Sequence, residues 1–440
     1  MGIFVWNPGR LAVLLLGVLW SSSVLAGDRI NWPSRSGPTL DSVVAAEDAQ
    51  GLPVEWSETP AKNLAWKVAL EGFGHSVPVV GAGRIWLTAA TKDGRQQFIY
   101  CLDQQTGNVL HHQLLFENAE PEPLKNEINT YASPSCALEA DAVYVHFGTY
   151  GTVRMNPKTF AIEWQRRDIN CRHFRGPGSS PILWQDLLIL TFDGVDAQFV
   201  TALNKRTGET VWKTARTTDY GDLDENGVPK LEGDLRKAYS TPAVVQVNDR
   251  WQVVSVGSRA AFSYDAETGR ELWTIRHDDF NASSPPLFSN GHAILNTGSR
   301  NSNLLSVRLD QSTRGDVTTS HVVWNRDKGN SDLSAPVLVD GRIISTANNG
   351  VVTAVDVQTG AELWKGRMDG TFTASPIVAN GLVYFGNEEG ETWVLRAGAE
   401  FEVVAKNRLP EGMRASPSAA DGMLFLRTFT HLYALAETKQ

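Results

Sequence analysis

"DAETGRELW" (265–273) and "DVQTGAELW" (356–364) repeat one pattern: an acid, two residues, Thr-Gly, three residues and a tryptophan. "NKRTGETVW" (204–212) and "NPKTFAIEW" (156–164) keep the same spacing of eight from Asp or Asn to Trp. The pattern reads as a β-hairpin. The Asp or Asn side chain, as in Asp265 and Asp356, accepts from backbone N–H groups two residues on, and Gly supplies the positive φ that closes the turn. The tryptophans that follow, Trp164, Trp212, Trp273 and Trp364, then lie on the next strand, where a large ring packs between neighbouring sheets.

Working outward, each hairpin belongs to a longer unit. The unit opens on a small or hydroxyl residue and a proline: Pro78, Pro134, Pro181, Pro242, Pro285, Pro336, Pro376 and Pro417. The prolines are 56, 47, 61, 43, 51, 40 and 41 residues apart. A short apolar strand follows, then a turn such as "NG" (290–291) or "DG" (340–341), then a second strand and the hairpin. A drifting period of about 40–50 residues marks a propeller or solenoid array. Such a sheet cannot bury both faces alone, so units stack radially.

The expected fold is all-β, an eight-bladed β-propeller of four-stranded blades. The eighth unit ends after its third strand, "HLYAL" (431–435). "NLAWKVAL" (63–70) resembles a fourth strand and has no unit before it. Trp66 and its strand are therefore expected to complete blade 8 and close the ring. Some copies depart from the pattern. "DQQTGNVLH" begins with the turn residue Asp103 but has His111 in the tryptophan position. Blade 5 carries an insertion (310–324), and blade 7 has Arg396 as its turn residue.

Residues 1–26 read as a secretory signal. Arg10 precedes an apolar run, "LAVLLLGVLW" (11–20), and Val24 and Ala26 stand at the −3 and −1 positions of a cleavage site. A membrane span needs about 20 apolar residues, so the mature chain is expected to have no transmembrane segment. No Cys follows the cleavage site to carry a lipid. The expected organisation is a signal (1–26), an N-terminal arm (27–62) and the propeller (63–440), in a soluble protein that is exported, periplasmic or secreted. The net charge of −9 gives no reason to expect nucleic acid as a partner. Cys101, Cys136 and Cys171 are an odd number in an oxidising compartment and fit no zinc spacing.

In a four-stranded antiparallel blade, the inter-blade connections share a face with the loops between second and third strands. Loops on a rigid scaffold carry function, so this mouth face is where ligand contacts are expected. Its candidates are His75, Tyr131, Arg175, Asp193, Arg236, Tyr239, Arg259, Asn281, Arg300, Asn348, Glu388, Arg414 and Arg427. Guanidinium groups there suit a carboxylate, phosphate or sulfate, unless they pair with acids across the mouth. The densest basic stretch is "RRDINCRHFRGPGSSP" (166–181). The longest inter-blade connection holds "DYGDLDENGVPKLEGD" (219–234). Asp222, Asp224 and Asn226 alternate there like the start of a calcium loop, but position 12 is Gly233, where an EF-hand needs Glu. The alternatives are a looser calcium loop, or an acidic turn that caps its own backbone or pairs with Arg216 and Arg236.

The small-Pro opening and the D-x-x-T-G-x-x-x-W turn resemble the pyrroloquinoline-quinone (PQQ)-type propeller repeat over roughly residues 63–436. "NWPSRSGP…GLPVEWS" (31–57) is similar to the arm of exported bacterial members. The resemblance implies one of two functions. One is a non-catalytic binding or scaffold module of the cell envelope, like the outer-membrane protein assembly factor, with a protein or small-molecule ligand at the mouth. The alternative is an alcohol or sugar dehydrogenase using PQQ and calcium. Those enzymes place an adjacent Cys-Cys pair beside the quinone, and no two cysteines here are adjacent. No G-x-S-x-G, H-E-x-x-H or phosphate-loop motif is present either.

Overall fold

A sheet with apolar residues on both faces needs a neighbour on each side, and a closed ring provides both. The computed structural model, which describes residues 29–298 and 302–438, has this architecture. Eight antiparallel blades form a propeller. Blade 1 runs outward from the axis through Val79–Gly81, Arg84–Ala90, Gln96–Asp103 and Val109–Glu117. Blades 2 to 7 begin at Ala137, Ile182, Ala243, Leu287, Val337 and Ile377. Blade 8 holds Ser418–Ala420, Met423–Arg427 and His431–Ala436, and its outer strand is Leu64–Ala69, as the truncated eighth unit required. The signal-peptide reading lies outside the described residues.

Burial follows the radial order. The first two strands of blade 8 are buried throughout, whereas its outer strand, Leu64–Ala69, alternates between half-buried and exposed. Adjacent blades are joined near the axis through the small-Pro motif. Ser180 donates its N–H to the Thr241 hydroxyl at 3.0 Å, and Ala335 and Ser375 donate to Ser375 and Ser416 at 2.9 Å each. The hydroxyl beside the proline is thus an acceptor for the preceding blade.

Farther out, the hairpin turns and tryptophans make a second joint. Asp356 accepts from the N–H of Gln358 and Thr359, and Asp103 does the same for Gln105 and Thr106. Each tryptophan lies on the turn of the following blade. Trp164 donates to the Lys205 carbonyl at 3.0 Å, and a Cβ on Gly208 would meet its ring at 2.8 Å. Trp66, Trp212 and Trp364 donate in the same way to Gln104, Ala266 and Gly398.

Two departures prove complementary. His111 replaces Trp in blade 1, and Phe160 replaces Gly in the blade 2 turn. The rings stack at 4.1 Å and 5°, and Phe160 still adopts φ 60°. Trp273 is the exception to turn docking. The blade 5 insertion lays Gly315–Asp316 beside Glu271–Arg276 as a fifth, parallel strand, and the Trp273 N–H turns inward to Gln252 at 3.0 Å.

The arm does more than precede the ring. Ile30–Trp32 pairs with Val79–Gly81, Val44 donates its N–H to the Val378 carbonyl, and Val378 donates its N–H to the Ser42 carbonyl. Asp48, 2% exposed, ion-pairs with Arg29 and accepts from Asn31 and from the Asp421 N–H. Asn380 donates to the Ala49 carbonyl at 2.6 Å. Ala82, Asn380 and Asp421 are all in turns between first and second strands, so the arm lies against the turn face, opposite the mouth.

The His111–Phe160 pair gives a test by double-mutant cycle. His111→Trp alone overpacks the joint and should cost about 1–3 kcal/mol. Adding Phe160→Gly should recover part of that loss, with a coupling of about 0.5–3 kcal/mol in urea denaturation.

Candidate functional site

The mouth face is crossed by three inter-blade loops that hydrogen-bond to one another. Lys125 donates its N–H to the Phe174 carbonyl at 2.7 Å, and its ammonium pairs with Glu232. Asn129 reaches the carbonyls of Arg175 and Pro177 at 2.9 and 3.0 Å. On the far side, Arg414 of the blade 7–8 connection donates to the carbonyls of Glu127 and Ile128. A continuous polar layer therefore runs over the mouth from blade 8 to blade 4.

Most of the expected mouth arginines are held by acids. Arg175 grips Asp234 at 2.9 and 3.3 Å. Arg236 grips Asp222 at 2.9 and 2.7 Å. Arg414 reaches Glu388 at 2.8 Å, and Glu388 also accepts from Thr373. Arg259 lies 3.5 Å from Asp278. Arg216 donates to both oxygens of Asp193 at 2.5 and 2.7 Å, with both side chains fully enclosed, and to Ser255 of the next blade. Burial opposes the Arg216 charge, but Asp193 outweighs it and raises the guanidinium pKa.

The remaining candidates are placed as follows. Tyr131 is buried, and its hydroxyl donates to the Glu122 carbonyl at 2.8 Å. Tyr239 packs on His173 at 5.0 Å. Asn281 faces Lys237 at 3.4 Å. The Asn348 side-chain amide oxygen is buried without a partner among the described residues. His75 is kept neutral by burial and by Arg427 and Arg414, which bring its pKa down to about 3. Arg427, 2% exposed, has no ion-pair partner among the described residues. It donates to the Ser76 hydroxyl at 2.6 Å and the Thr88 carbonyl at 2.9 Å, pinning blade 8 to blade 1. Arg300 lies outside the described residues.

The acidic loop is organised by turns and ion pairs. Asp224 accepts from the N–H groups of Asn226 and Val228 at 2.8 and 2.9 Å, as an Asx turn does. Asp222 is engaged by Arg236. No group of three or more His, Cys, Asp or Glu among the described residues is arranged to hold a metal ion. Two mouth carboxylates, Asp193 and Glu388, are likewise bound by arginines.

One concavity on this face has much of its wall formed by the basic stretch 166–181. Its outer part lies between Glu122, Tyr150, Arg167 and Arg172. Its floor lies between blades 2 and 3, with His146, His173, Ser179 and Thr191. Both ring nitrogens of His173 and the hydroxyls of Ser179 and Thr191 lack partners among the described residues. Burial brings the pKa of His146 down to about 3, and burial with Lys237 brings that of His173 down to about 4. Beside Asp193, which Arg216 holds, the floor is a set of hydroxyls and neutral imidazoles suited to hydrogen bonding. Cys171 borders it, and burial raises its thiol pKa. All three cysteines are buried and unpaired. Asp193, on the floor, is one of the mouth positions read from sequence, and Arg167, Arg172 and Ser179 lie in the basic stretch 166–181; His146 and Thr191 lie in strands that carry no motif.

Comparison places the chain in a family. The family described as outer membrane protein assembly factor BamB matches residues 17–190 and 196–439, and the chain belongs to it. BamB from Moraxella catarrhalis is similar in structure, with TM-score 0.56 and 14% identity over 84% of this chain and 99% of that one. The quinohemoprotein alcohol dehydrogenase from Comamonas testosteroni has TM-score 0.64 and 12% identity over 93% and 81%. A europium-containing methanol dehydrogenase has TM-score 0.63 and 10% identity over 92% and 98%. At these identities the likeness to solved structures is one of fold. No curated protein sequence matches the chain.

Two measurements test this description. With Asp222 engaged by Arg236, millimolar calcium should leave the thermal midpoint unchanged, while Asp222→Asn should lower stability by about 1.5–3 kcal/mol. The depressed histidines predict acid sensitivity. Unfolded imidazoles bind protons below about pH 6.5, whereas His75, His146 and His173 stay neutral to about 3, 3 and 4 when folded. The unfolded state then carries more protons, so stability should fall as pH drops from 6.5 toward 4. His146→Gln should make that fall shallower in thermal melts.

Proposed function

We propose that this member of the BamB family is a non-catalytic scaffold of the cell envelope that docks a protein partner on its mouth face. The observation that carries the reading is the mutual pairing of the mouth charges. Catalysis with a quinone and calcium needs carboxylates free to bind metal and to take a substrate proton. Here Asp193, Asp222, Asp234 and Glu388 each meet an arginine. The same loops present apolar side chains to solvent: Ile128, Leu223, Val228 and Leu231 are all more than half exposed. Apolar side chains rimmed by polar groups favour a protein contact.

The family description names an assembly factor for outer-membrane proteins, and the proposed partner is a protein of that assembly machinery. No helix among the described residues is long and apolar enough to cross a membrane. The signal read in residues 1–26 would deliver the chain to the periplasm or beyond.

In-cell photo-crosslinking tests the proposal. Crosslinkers at Ile128 and Leu231 should give discrete adducts with an envelope protein, and one at the outer-strand residue Leu363 should not. Incubation with PQQ and calcium should give no dye-linked alcohol oxidation. Turnover in that assay, or equal crosslinking from Leu363, would overturn the scaffold reading.

A further inference from the structure

Arg35 differs from the arginines of the mouth. It is carried by the arm, and it reaches a cavity bounded by the starts of the inner strands of blades 3, 4 and 5. Pro181, Ile182, Thr241, Pro242 and Pro285 form that boundary, and Ser34, Ser36 and Leu40 of the arm complete it. The cavity is small, with about 10 Å³ open to the centre of a water-sized sphere. Arg35 keeps some accessible surface, yet it is deep enough that burial brings its pKa down to about 10. Its remaining exposure is therefore to the interior of the channel.

No carboxylate comes within ion-pair distance of Arg35 among the described residues, and none lines the cavity. Its single hydrogen bond goes to the Ser375 hydroxyl at 3.4 Å. The surrounding hydroxyls are spare donors. Thr241 and Ser375 accept from Ser180 and Ala335, and their own O–H groups have no acceptor among the described residues. Ser36, 4% exposed, has no side-chain partner there at all. A charged guanidinium at neutral pH is thus surrounded by hydrogen-bond donors and proline rings, with no negative group to balance it. Enclosed charge in that condition is unfavourable unless it is paired.

We propose that this axial cavity binds a small inorganic anion, held by the Arg35 guanidinium and the hydroxyls of Ser36 and Thr241. The small space suits a compact inorganic ion. Because Arg35 belongs to the arm and the hydroxyls to the arm and the ring, the anion bridges the two. It fixes the arm in the channel from the inside, as the Asp48 network fixes it at the turn face. The proposal is independent of what docks at the mouth.

Bromide provides the direct probe. Crystals of the full mature chain grown in bromide should show an anomalous peak within hydrogen-bond distance of the Arg35 guanidinium. In solution, replacing gluconate by chloride or phosphate at fixed ionic strength and pH should raise the thermal midpoint by a few degrees in a saturable way. Arg35→Gln should abolish that response, whereas Arg167→Gln, at the mouth, should keep it. Should Arg35→Gln fold poorly, Arg35→Lys retains the charge and should keep a weaker response. Absence of a bromide peak at Arg35, or an undiminished response in Arg35→Gln, would overturn the proposal.

Discussion

Closure of the ring is the constraint on which the rest depends. Seven blades are complete in the chain order and the eighth is not, so residues 64–69 must pair with residues 431–436 to complete blade 8 and set it against blade 1. The closing joint uses the same contacts as the others. Trp66 donates to the blade 1 turn and lies over Gly107, where a Cβ would meet its ring at 2.6 Å. Arg427 adds a bond from the inner part of blade 8 to the Ser76 and Thr88 backbone and side-chain oxygens of blade 1. Pinning residue 64 at the outer edge also decides where the preceding residues run. They must cross from the periphery to the axis, and the turn face is the side on which they do so.

The fold was legible because its determinants are local. A turn acid, a positive-φ glycine, a tryptophan and a hydroxyl before proline are each read within a few residues, and repetition removes ambiguity. The copies that depart were legible as departures but not as partners. His111 and Phe160 are 49 positions apart, and neither implies the other until the blades are side by side. Trp273 shows the opposite case. It matches the pattern fully, yet the insertion at 310–324 covers it and gives its N–H another acceptor. The arm carries no period at all, so its docking followed from nothing in the sequence.

The mouth was legible as a set of positions and not as a set of pairs. Arg175 and Asp234 are separated by 59 residues, and Arg216 and Asp193 by 23. Charge partners at such distances depend on loop paths that no turn motif fixes. The acidic loop illustrates why residue type misleads. Alternating Asp and Asn side chains serve calcium because they present oxygens in a tight turn, and they serve backbone N–H groups for the same reason. In this loop Asp224 takes the second role and Asp222 takes an arginine.

The two ends of the channel then differ in electrostatic character. At the mouth, each buried acid was matched to a guanidinium with short, two-pronged geometry, and such pairs rigidify loops while removing both charges from chemistry. The result is a face whose remaining reactivity is contact: apolar side chains above a fixed polar layer. Deeper in the channel, the arm introduces a cation that the ring does not neutralise, among hydroxyls whose acceptor sites are already used by neighbouring blades. Both features come from the same circumstance. The ring satisfies its own backbone between blades, so whatever is left over, donors at the axis and apolar groups at the rim, is available to something from outside the chain.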